Sequence, residues 1–522
     1  MIVVQDRQQL ALKLNNPERV LQVIPSSRLV KDQKNPPFVV VPHGIEEVRV
    51  LRNLGFEAPS PILHYYKWPG RFSPFAAQKD TAQFLTVNPR AFVLNDMGTG
   101  KTAASMWAYD YLREVDIAKK LLVVSPLSSL DPTWANTIFN NFMHLTCAVL
   151  HGTREVRLKL LEEDVDVYII NHDGIKTAGF VDALTRRADI THIIIDEIAS
   201  FRNARTDRWE WMNIICNRQT PRWVWGLTGS PTPNEPTDAW GQCKLLNPGS
   251  VPPYYGKFRD MVMRQINTYR WVPRPESASV VANVMQPAIR YKRDECVDLP
   301  PIVFQTHRVE LEPAQHKAYR EMLNTLRMEA ESGQILAVNE AVKADKLLQI
   351  ACGVVYGDKE REVILPAANR LKLVKEIIDE AAAKVIVFVP FLGALKHVYD
   401  FVVENYGADG AALVYGDVNK NQRDEIFRRF QDPNDPLRVI VAQPKTMSHS
   451  LTLTEADTII WFAPVHSNET FQQAIARISR PGQRRSQLII MIEGTEIERR
   501  IYHRLQHRER LQGILLQMIK EK

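Results

Sequence analysis

Asn95-Asp96-Met97-Gly98-Thr99-Gly100-Lys101-Thr102 decides how this chain is read. The apolar run Ala91-Phe92-Val93-Leu94 precedes it, and a helix-compatible run from Ala103 to Leu112 follows. The order is strand, glycine-rich turn, helix. Gly98 and Gly100 let the backbone curl so that its N–H groups face inward. The helix N-terminus adds positive potential, and together they cradle phosphates. In such a loop Lys101 reaches the outer phosphates and the Thr102 hydroxyl ligates Mg²⁺. The full phosphate-loop pattern has glycine where Asn95 stands. Asparagine tolerates positive φ, so the departure is expected to be mild. The plainer alternative is an ordinary turn, but the flanking strand and helix favour a nucleotide.

Working outward, residues 75 to 235 alternate strand and helix. The strand runs are Ala91–Leu94, Leu121–Val124, Cys147–Leu150, Val167–Ile170, His192–Ile195 and Trp223–Leu227. Continuous apolar runs between helices predict a parallel sheet covered on both faces. Functional residues then belong just past the strand C-terminal ends. Lys101, Ser125, His151, Asn171, Asp196 and Thr228 stand there. Residues 236–370 break the alternation, with long helices predicted over Pro313 to Gln349 and an interruption near Ser332-Gly333. A second alternating block, 371–522, has strand runs Val385–Val389, Ala411–Val414, Val439–Ala442, Thr458–Phe462 and Leu488–Ile492. It lacks a glycine-rich Lys-Thr loop, which suggests two lobes sharing one nucleotide. From Thr495 onward, Ile497, Ile501 and Leu505 form one apolar helix face expected to dock on a lobe. Residues 1–70 read as a small separate module, strand-like at Val20–Ile24 and Phe38–Val41. There Ile45–Leu54 is helical and Gly55 is its C-cap.

The chain has 522 residues, 45% hydrophobic and 24% charged, an ordinary globular composition. Its net charge of +6 permits a polyanionic partner without requiring one. From Glu469 onward, 11 basic residues stand against 6 acidic ones, a local net of +5. The 5 cysteines are widely spaced with no Cys-x-x-Cys, which argues against a zinc site or disulfide framework. The first residues turn polar too early for a signal peptide, and the longest apolar stretch is too short to span a bilayer. A reducing, cytoplasmic compartment is expected.

Ile193-Ile-Ile-Asp196-Glu197 ends a buried-type strand in two carboxylates. Asp196 is placed to hold Mg²⁺ and Glu197 to orient or deprotonate the attacking water. Gly226-Leu-Thr228-Gly229-Ser230-Pro-Thr-Pro-Asn234 sets short hydroxyl residues on a tight turn after another strand. In Gln472-Gln473-Ala-Ile-Ala-Arg477-Ile-Ser-Arg480-Pro-Gly-Gln483, Arg477 and Arg480 share one helix face. Arginines from one lobe aimed at phosphates held by the other neutralise transition-state charge only when the lobes close. A solvated basic face is the plainer alternative.

These motifs, in this order, resemble the Swi/Snf-type DNA-translocating ATPases of helicase superfamily two, over residues 70 to 522. Gln78 resembles that family's adenine-reading glutamine. Asp96 to Thr102 is similar to its phosphate loop, including Gly98, Thr99 and Gly100. Val123 to Leu130 with Trp134 resembles its first nucleic-acid-contact motif. Asp196-Glu197 and Leu227 to Asn234 are similar to its carboxylate and coupling motifs. Arg290-Tyr-Lys-Arg293 with Asp298-Leu-Pro-Pro301 looks like the segment joining the lobes, and Gln443–Asp457 and Gln473–Gln483 resemble the last two motifs. The resemblance implies an α/β fold of two tandem RecA-like lobes with a small N-terminal α+β module (1–70). The first lobe is expected at 71–235, a helical inter-lobe segment at 236–370 and the second lobe at 371–522. It also implies ATP and Mg²⁺, and nucleic-acid contacts from Ser125, Pro126, His151, Asn171, Thr446 and Ser448. Coupling falls to Thr228, Ser230 and Gln473.

Three departures stand out. Ala199 replaces the histidine that follows Asp-Glu in the family. Met447-Ser-His-Ser-Leu-Thr452 replaces a glycine-rich stretch. Insertions in the lobes are short, which favours a compact bacterial or viral enzyme acting in a bacterial or infected host cell. The first expectation is a monomeric motor on duplex or branched DNA, with replication or recombination proteins as possible partners and no recognisable wedge element between the lobes. A strand-separating DNA or RNA helicase is the alternative. A nucleic-acid-binding subunit gated by ATP and hydrolysing little is the second; intact Lys101, Glu197 and Arg480 argue against it.

Overall fold

The computed structural model describes residues 1–31, 37–217, 222–267, 270–296, 300–331, 337–356, 362–447, 452–480 and 482–506. Four short strands, β1 (Ile2–Val4), β2 (Gln9–Leu12), β3 (Arg28–Val30) and β4 (Phe38–Pro42), form an antiparallel sheet in the order β1-β2-β4-β3. The strand expected at Val20–Ile24 is instead the last part of a short helix, Glu18–Val23, with Pro17 at its N-cap. Proline is pre-set for a helix start, and only Val20 of that helix is buried. The module is not separate. Leu10, Val39, Val48 and Leu51 share one apolar cluster with Met106, Trp107 and Leu121 of the first lobe.

The first lobe carries β5 (Arg90–Val93), β6 (Lys120–Ser125), β7 (Cys147–Val149), β8 (Val167–Asn171), β9 (Ile190–Asp196) and β10 (Trp223–Leu227). All pair in parallel. Alternation splits each strand between two cores. Phe92, Leu122 and Ile193 face one side, and Ala91, Val93, Leu121 and Val123 face the other. These are the expected strands, within a residue or two at each end.

Beyond β10 the chain forms a ribbon of β11 (Met263–Asn267) and β12 (Arg270–Pro273), which the sequence reading had missed. β13 (Ala288–Ile289) then adds a parallel strand beside β5. Next, β14 (Ile302–Arg308) pairs in parallel with the last strand of the second lobe. Residues 236–370 are therefore not one helical insertion, because each end of the stretch completes a lobe's sheet. β14 escaped notice because it is an edge strand whose apolar run, Ile302-Val303-Phe304, is only three residues long and gives way to polar ones. The two long helices, Pro313–Glu331 and Ala337–Ala351, lie where expected. A small antiparallel pair follows, β15 (Val354–Tyr356) with β16 (Glu362–Ile364).

The second lobe adds β17 (Lys384–Phe388), β18 (Ala411–Val414), β19 (Val439–Ala442), β20 (Ala456–Trp461) and β21 (Gln487–Glu493). Its sheet order is β14-β21-β20-β17-β19-β18. Ile501 and Leu505 are buried against it, so the C-terminal helical face docks as expected. Among the described residues, no helix is long and apolar enough to cross a membrane.

Candidate nucleotide site between the lobes

The loop after β5 curls at two glycines, with φ of 83° at Gly98 and 77° at Gly100, where a side chain is disfavoured. Gly100 is also the N-cap of the helix Lys101–Glu114. A Cβ on Gly100 would sit 2.0 Å from the Gln78 side-chain amide nitrogen. Gln78 itself accepts from the Phe75 backbone N–H at 3.2 Å and closes the first turn of its own helix. The loop and the glutamine helix are thus packed as one piece. Thr99 is buried, and its hydroxyl donates to the Asp96 carbonyl at 2.8 Å. Lys101 Nζ donates to the carbonyls of Asn95 (2.8 Å) and Asp96 (3.1 Å).

Asn95 does not use positive φ, contrary to the sequence reading. It is nearly fully buried and works through its side chain. Its Oδ1 accepts from the Tyr291 backbone N–H at 2.9 Å, and its Nδ2 donates to Thr81 Oγ1 at 2.9 Å. Asp96 pairs with the Arg290 guanidinium and accepts from the Arg293 backbone N–H at 3.0 Å. Strand-like bonds continue from Leu94 N to Ile289 O (2.9 Å) and from Asp96 N to Tyr291 O (3.0 Å). The inter-lobe segment therefore grips the root of the phosphate loop, a link the sequence hid because the partners lie about 195 residues apart.

Asp196 ends β9, and Glu197 follows with φ of 50°, a left-handed conformation uncommon for glutamate. Asp196 Oδ2 accepts from Trp134 Nε1 (2.9 Å) and Ser125 Oγ (3.3 Å). The Asp196 carbonyl contacts His172 Nε2 at 2.8 Å, and the His172 ring meets Phe201 edge-on. Burial raises Asp196, opposed first by the Trp134 bond. Glu197 is pushed up to about 7 by burial and then by the charge of Glu469, while the Thr228 bond holds it down. Burial likewise lowers Lys101, against the pull of Glu197, Asp196 and Asp96.

The second lobe reaches in with the helix Asn468–Ile475 and the turn after it. Arg477 is buried, with Nε donating to the Gln473 carbonyl at 2.8 Å. Arg480 Nη1 donates to Thr452 Oγ1 at 3.2 Å. Burial lowers both arginines, Arg480 to about 10. Gln473 Nε2 donates to Glu469 Oε1 (3.2 Å), whose other oxygen lies 3.5 Å from Arg202 Nη1 of the first lobe. Lys420 of the second lobe pairs with Asp131 of the first at 3.2 Å.

One cleft of about 410 Å³ gathers Gly98, Gly100, Lys101, Thr102, Pro126, Asp196, Glu197, Gln473, Arg477 and Arg480. That lies within the ~300–1,000 Å³ usual for ligand sites. Met97, Ser129, Thr133 and Thr452 complete it. Several expected contact residues sit elsewhere. Ser125 is fully buried behind Asp196, so its hydroxyl faces the carboxylate and not a nucleic acid. Pro126 lines the nucleotide cleft. Asn171 is buried and accepts from Arg157 at 3.4 Å. His151 is exposed. Thr446 Oγ1 donates to the Gln443 carbonyl at 2.7 Å. Ser448, most of the stretch Met447–Thr452, Pro481 and Asp298-Leu299 lie outside the described residues. Sequence reasoning missed Glu469 and Arg202 as parts of this site; an isolated charge carries no spacing signal.

A model of the SNF2-related domain matches residues 82–354, and one of the helicase conserved C-terminal domain matches 369–482. The chain belongs to the SNF2-related family. It is an ATPase of helicase superfamily two; the first match covers lobe one and runs on through β14 and the two long helices, and the second falls on lobe two. This SNF2-related chain is 24% identical over 485 residues to putative protein p41 of Acyrthosiphon pisum secondary endosymbiont phage 1, covering 86% of this chain and 99% of that one. It is 23% identical over 434 residues to human chromodomain-helicase-DNA-binding protein 8, covering 74% of this chain but 16% of that protein. Against the Sulfolobus solfataricus SWI2/SNF2 ATPase core in complex with dsDNA, the identity is 20% and the TM-score 0.41, covering 86% of this chain and 94% of that one.

Among the described residues, no group of three or more carboxylate, histidine or cysteine side chains forms a metal cage. A donor set of one hydroxyl and one carboxylate fits Mg²⁺, which keeps water and phosphate ligands and takes one or two from protein. Thr102 and Asp196, both lining the cleft, are the side chains that would hold it.

Proposed function

We propose that this SNF2-related ATPase is a motor that moves along duplex or branched DNA. The observation that carries it is the shared cleft: Lys101 and Glu197 come from one lobe, Arg477 and Arg480 from the other. Catalysis that needs both lobes is tied to their closure, and closure is motion. ATP enters with its outer phosphates on the loop N–H groups and on Lys101, whose ammonium leaves the Asn95 and Asp96 carbonyls for them. Glu197, with Thr228 on its far oxygen, orients the attacking water and takes its proton. Arg477 and Arg480 balance the charge that builds on the transferred phosphoryl group. Thr102 and Asp196 would hold Mg²⁺, which would supply neutralisation of part of that charge. Gln78, packed against Gly100, reads the base.

On the DNA side, His151 from lobe one and Ser448 from lobe two contact phosphates, and closure shifts one relative to the other. Such contacts carry no base information, so binding is largely independent of sequence. The match along the whole length of a phage protein supports a compact motor working in a bacterial or infected cell. The test is ATPase activity with single-stranded DNA, duplex, forked DNA and RNA, together with displacement of a triplex-forming third strand. Stimulation by duplex or fork with triplex displacement is expected. Stimulation by RNA alone, or efficient unwinding of a tailed duplex without triplex displacement, overturns the reading in favour of a helicase.

A further inference from the structure

Between Tyr255 and Arg274 the sequence holds Lys257, Arg259, Arg264, Arg270 and Arg274 against one acid, Asp260. That net of +4 stands out in a chain whose total is +6. The structure turns this stretch outward. The helix Tyr255–Val262 is anchored by Phe258 and Val262 in the core of lobe one, and Met263 is the last buried residue. Arg264, Gln265, Ile266 and Asn267 then follow, all exposed. Successive side chains of a strand point to opposite faces. An unbroken exposed run therefore means that β11 is uncovered on both sides there, while Trp271 of β12 packs half-buried against the core of lobe one. Ile266 keeps 55% of its surface in water. Lys257 and Arg264 have no ion pair among the described residues.

An isolated two-stranded ribbon is marginal in water, so its root needs fastening. Arg274 supplies part of it, with its backbone N–H donating to Val262 O (2.9 Å) and its Nε to Met263 O (3.0 Å). The Arg259 guanidinium stacks 3.9 Å from the Trp271 ring centroid. A register shift between Gln265 and Asn267 adds twist toward the far end. The root also leads back to the motor. Tyr255 meets Trp240 edge-on, and Trp240 lies on the helix that continues from the coupling loop after β10. Asp238, at the start of that helix, lies 4.0 Å from Arg202, which faces Glu469 of the second lobe.

We propose that the β11–β12 ribbon is a pin that engages branched DNA at the junction between duplex and single strands. Lys257 and Arg264 neutralise phosphates. Ile266 offers an apolar wedge to a base step that is already frayed, where unstacking costs least. The inference rests on the DNA-motor reading and adds to it a second contact, off the phosphate track of the two lobes. It supplies the wedge element that was not visible in the sequence.

The full chain and two variants, K257A/R264A and I266S, test it by titrating forked and plain duplex DNA over a range of salt. For K257A/R264A, the slope of log affinity against log salt is expected to fall by about 2, at ~0.9 per phosphate contact on duplex. For I266S the slope is expected to hold, while the preference for fork over plain duplex drops severalfold. ATP hydrolysis without DNA stays at the wild-type rate in both, since none of these residues lines the cleft. Unchanged slope and fork preference in the variants, with wild-type DNA binding intact, overturn the pin and leave the ribbon to a protein partner. A wild-type chain that binds no DNA overturns the motor reading itself, and the pin with it.

Discussion

Thr228 Oγ1 stands 2.5 Å from Glu197 Oε1. The hydroxyl also accepts from the Ser230 backbone N–H at 3.1 Å, so its own proton is directed at the carboxylate. The loop after β10 therefore holds the proposed base, and any movement of that loop moves Glu197. Donation to a carboxylate favours its ionised form. Burial has lifted Glu197 to about 7 in spite of this bond. The free base is the active form, so turnover should rise as pH passes through about 7. In T228V the bond is lost, and the acid limb of the kcat profile should move to higher pH. Turnover at pH 7 should drop ~10-fold or more, with ATP affinity little changed. An unmoved acid limb would separate Thr228 from the chemistry.

E197Q joins a catalytic loss to a gain in stability. At low pH both the folded and the unfolded glutamate are protonated, and ionisation favours neither state. As pH rises past about 4.3, the model-peptide value, the unfolded chain ionises first and folded stability is lost until about 7. The uncharged amide avoids that loss. The Tm of E197Q should exceed wild type at pH 8 and match it near pH 4. Hydrolysis should fall at least ~10²-fold while ATP still binds. K101A, by contrast, should fail to bind ATP.

Arg480 should behave as a group needed only in the transition state. R480A is expected to lower turnover by ~10³–10⁵, the range for arginine fingers, with a much smaller change in ATP affinity. Arg477 is buried and tied to Gln473, so R477A should also lower the Tm of the second lobe. Turnover within a factor of about two of wild type in both variants would reduce this stretch to a basic surface.

What the sequence disclosed follows from the range of each interaction. The phosphate loop, the Asp196-Glu197 strand end and the Arg477/Arg480 pair are local patterns, and all converge on one cleft. Buried parallel strands are also legible, because both of their faces are apolar. β14 was not, since its apolar run is only Ile302-Val303-Phe304, too short to mark a strand before the polar residues that follow. Ser125 was misjudged for a related reason: position after a strand says which edge a residue occupies, not whether its hydroxyl turns inward to Asp196. Arg202–Glu469 and Asn95–Tyr291 join residues about 267 and 196 positions apart, and no spacing rule reaches that far.

Asn95 offers the sharpest check on that last pair. The general phosphate-loop pattern has glycine there, so N95G moves the loop toward that pattern. By motif alone it should be neutral or helpful. The structure says otherwise. Asn95 Oδ1 satisfies the Tyr291 N–H, and its Nδ2 meets Thr81 Oγ1, in a setting with almost no exposed surface. Glycine removes both partners at once. A buried donor left without an acceptor costs about 1–3 kcal/mol, and glycine frees a backbone that did not need left-handed φ. Thr81 loses less, because its hydroxyl already donates to the Ala77 carbonyl at 2.7 Å. N95G should therefore unfold several degrees lower, by a shift of ~2 kcal/mol or more. It should also bind ATP more weakly, because the grip of Tyr291 on the loop is broken. Differential scanning calorimetry and ATP titration read the two effects separately. A variant as stable as wild type, with equal ATP affinity, would show that the inter-lobe segment does not hold the phosphate loop.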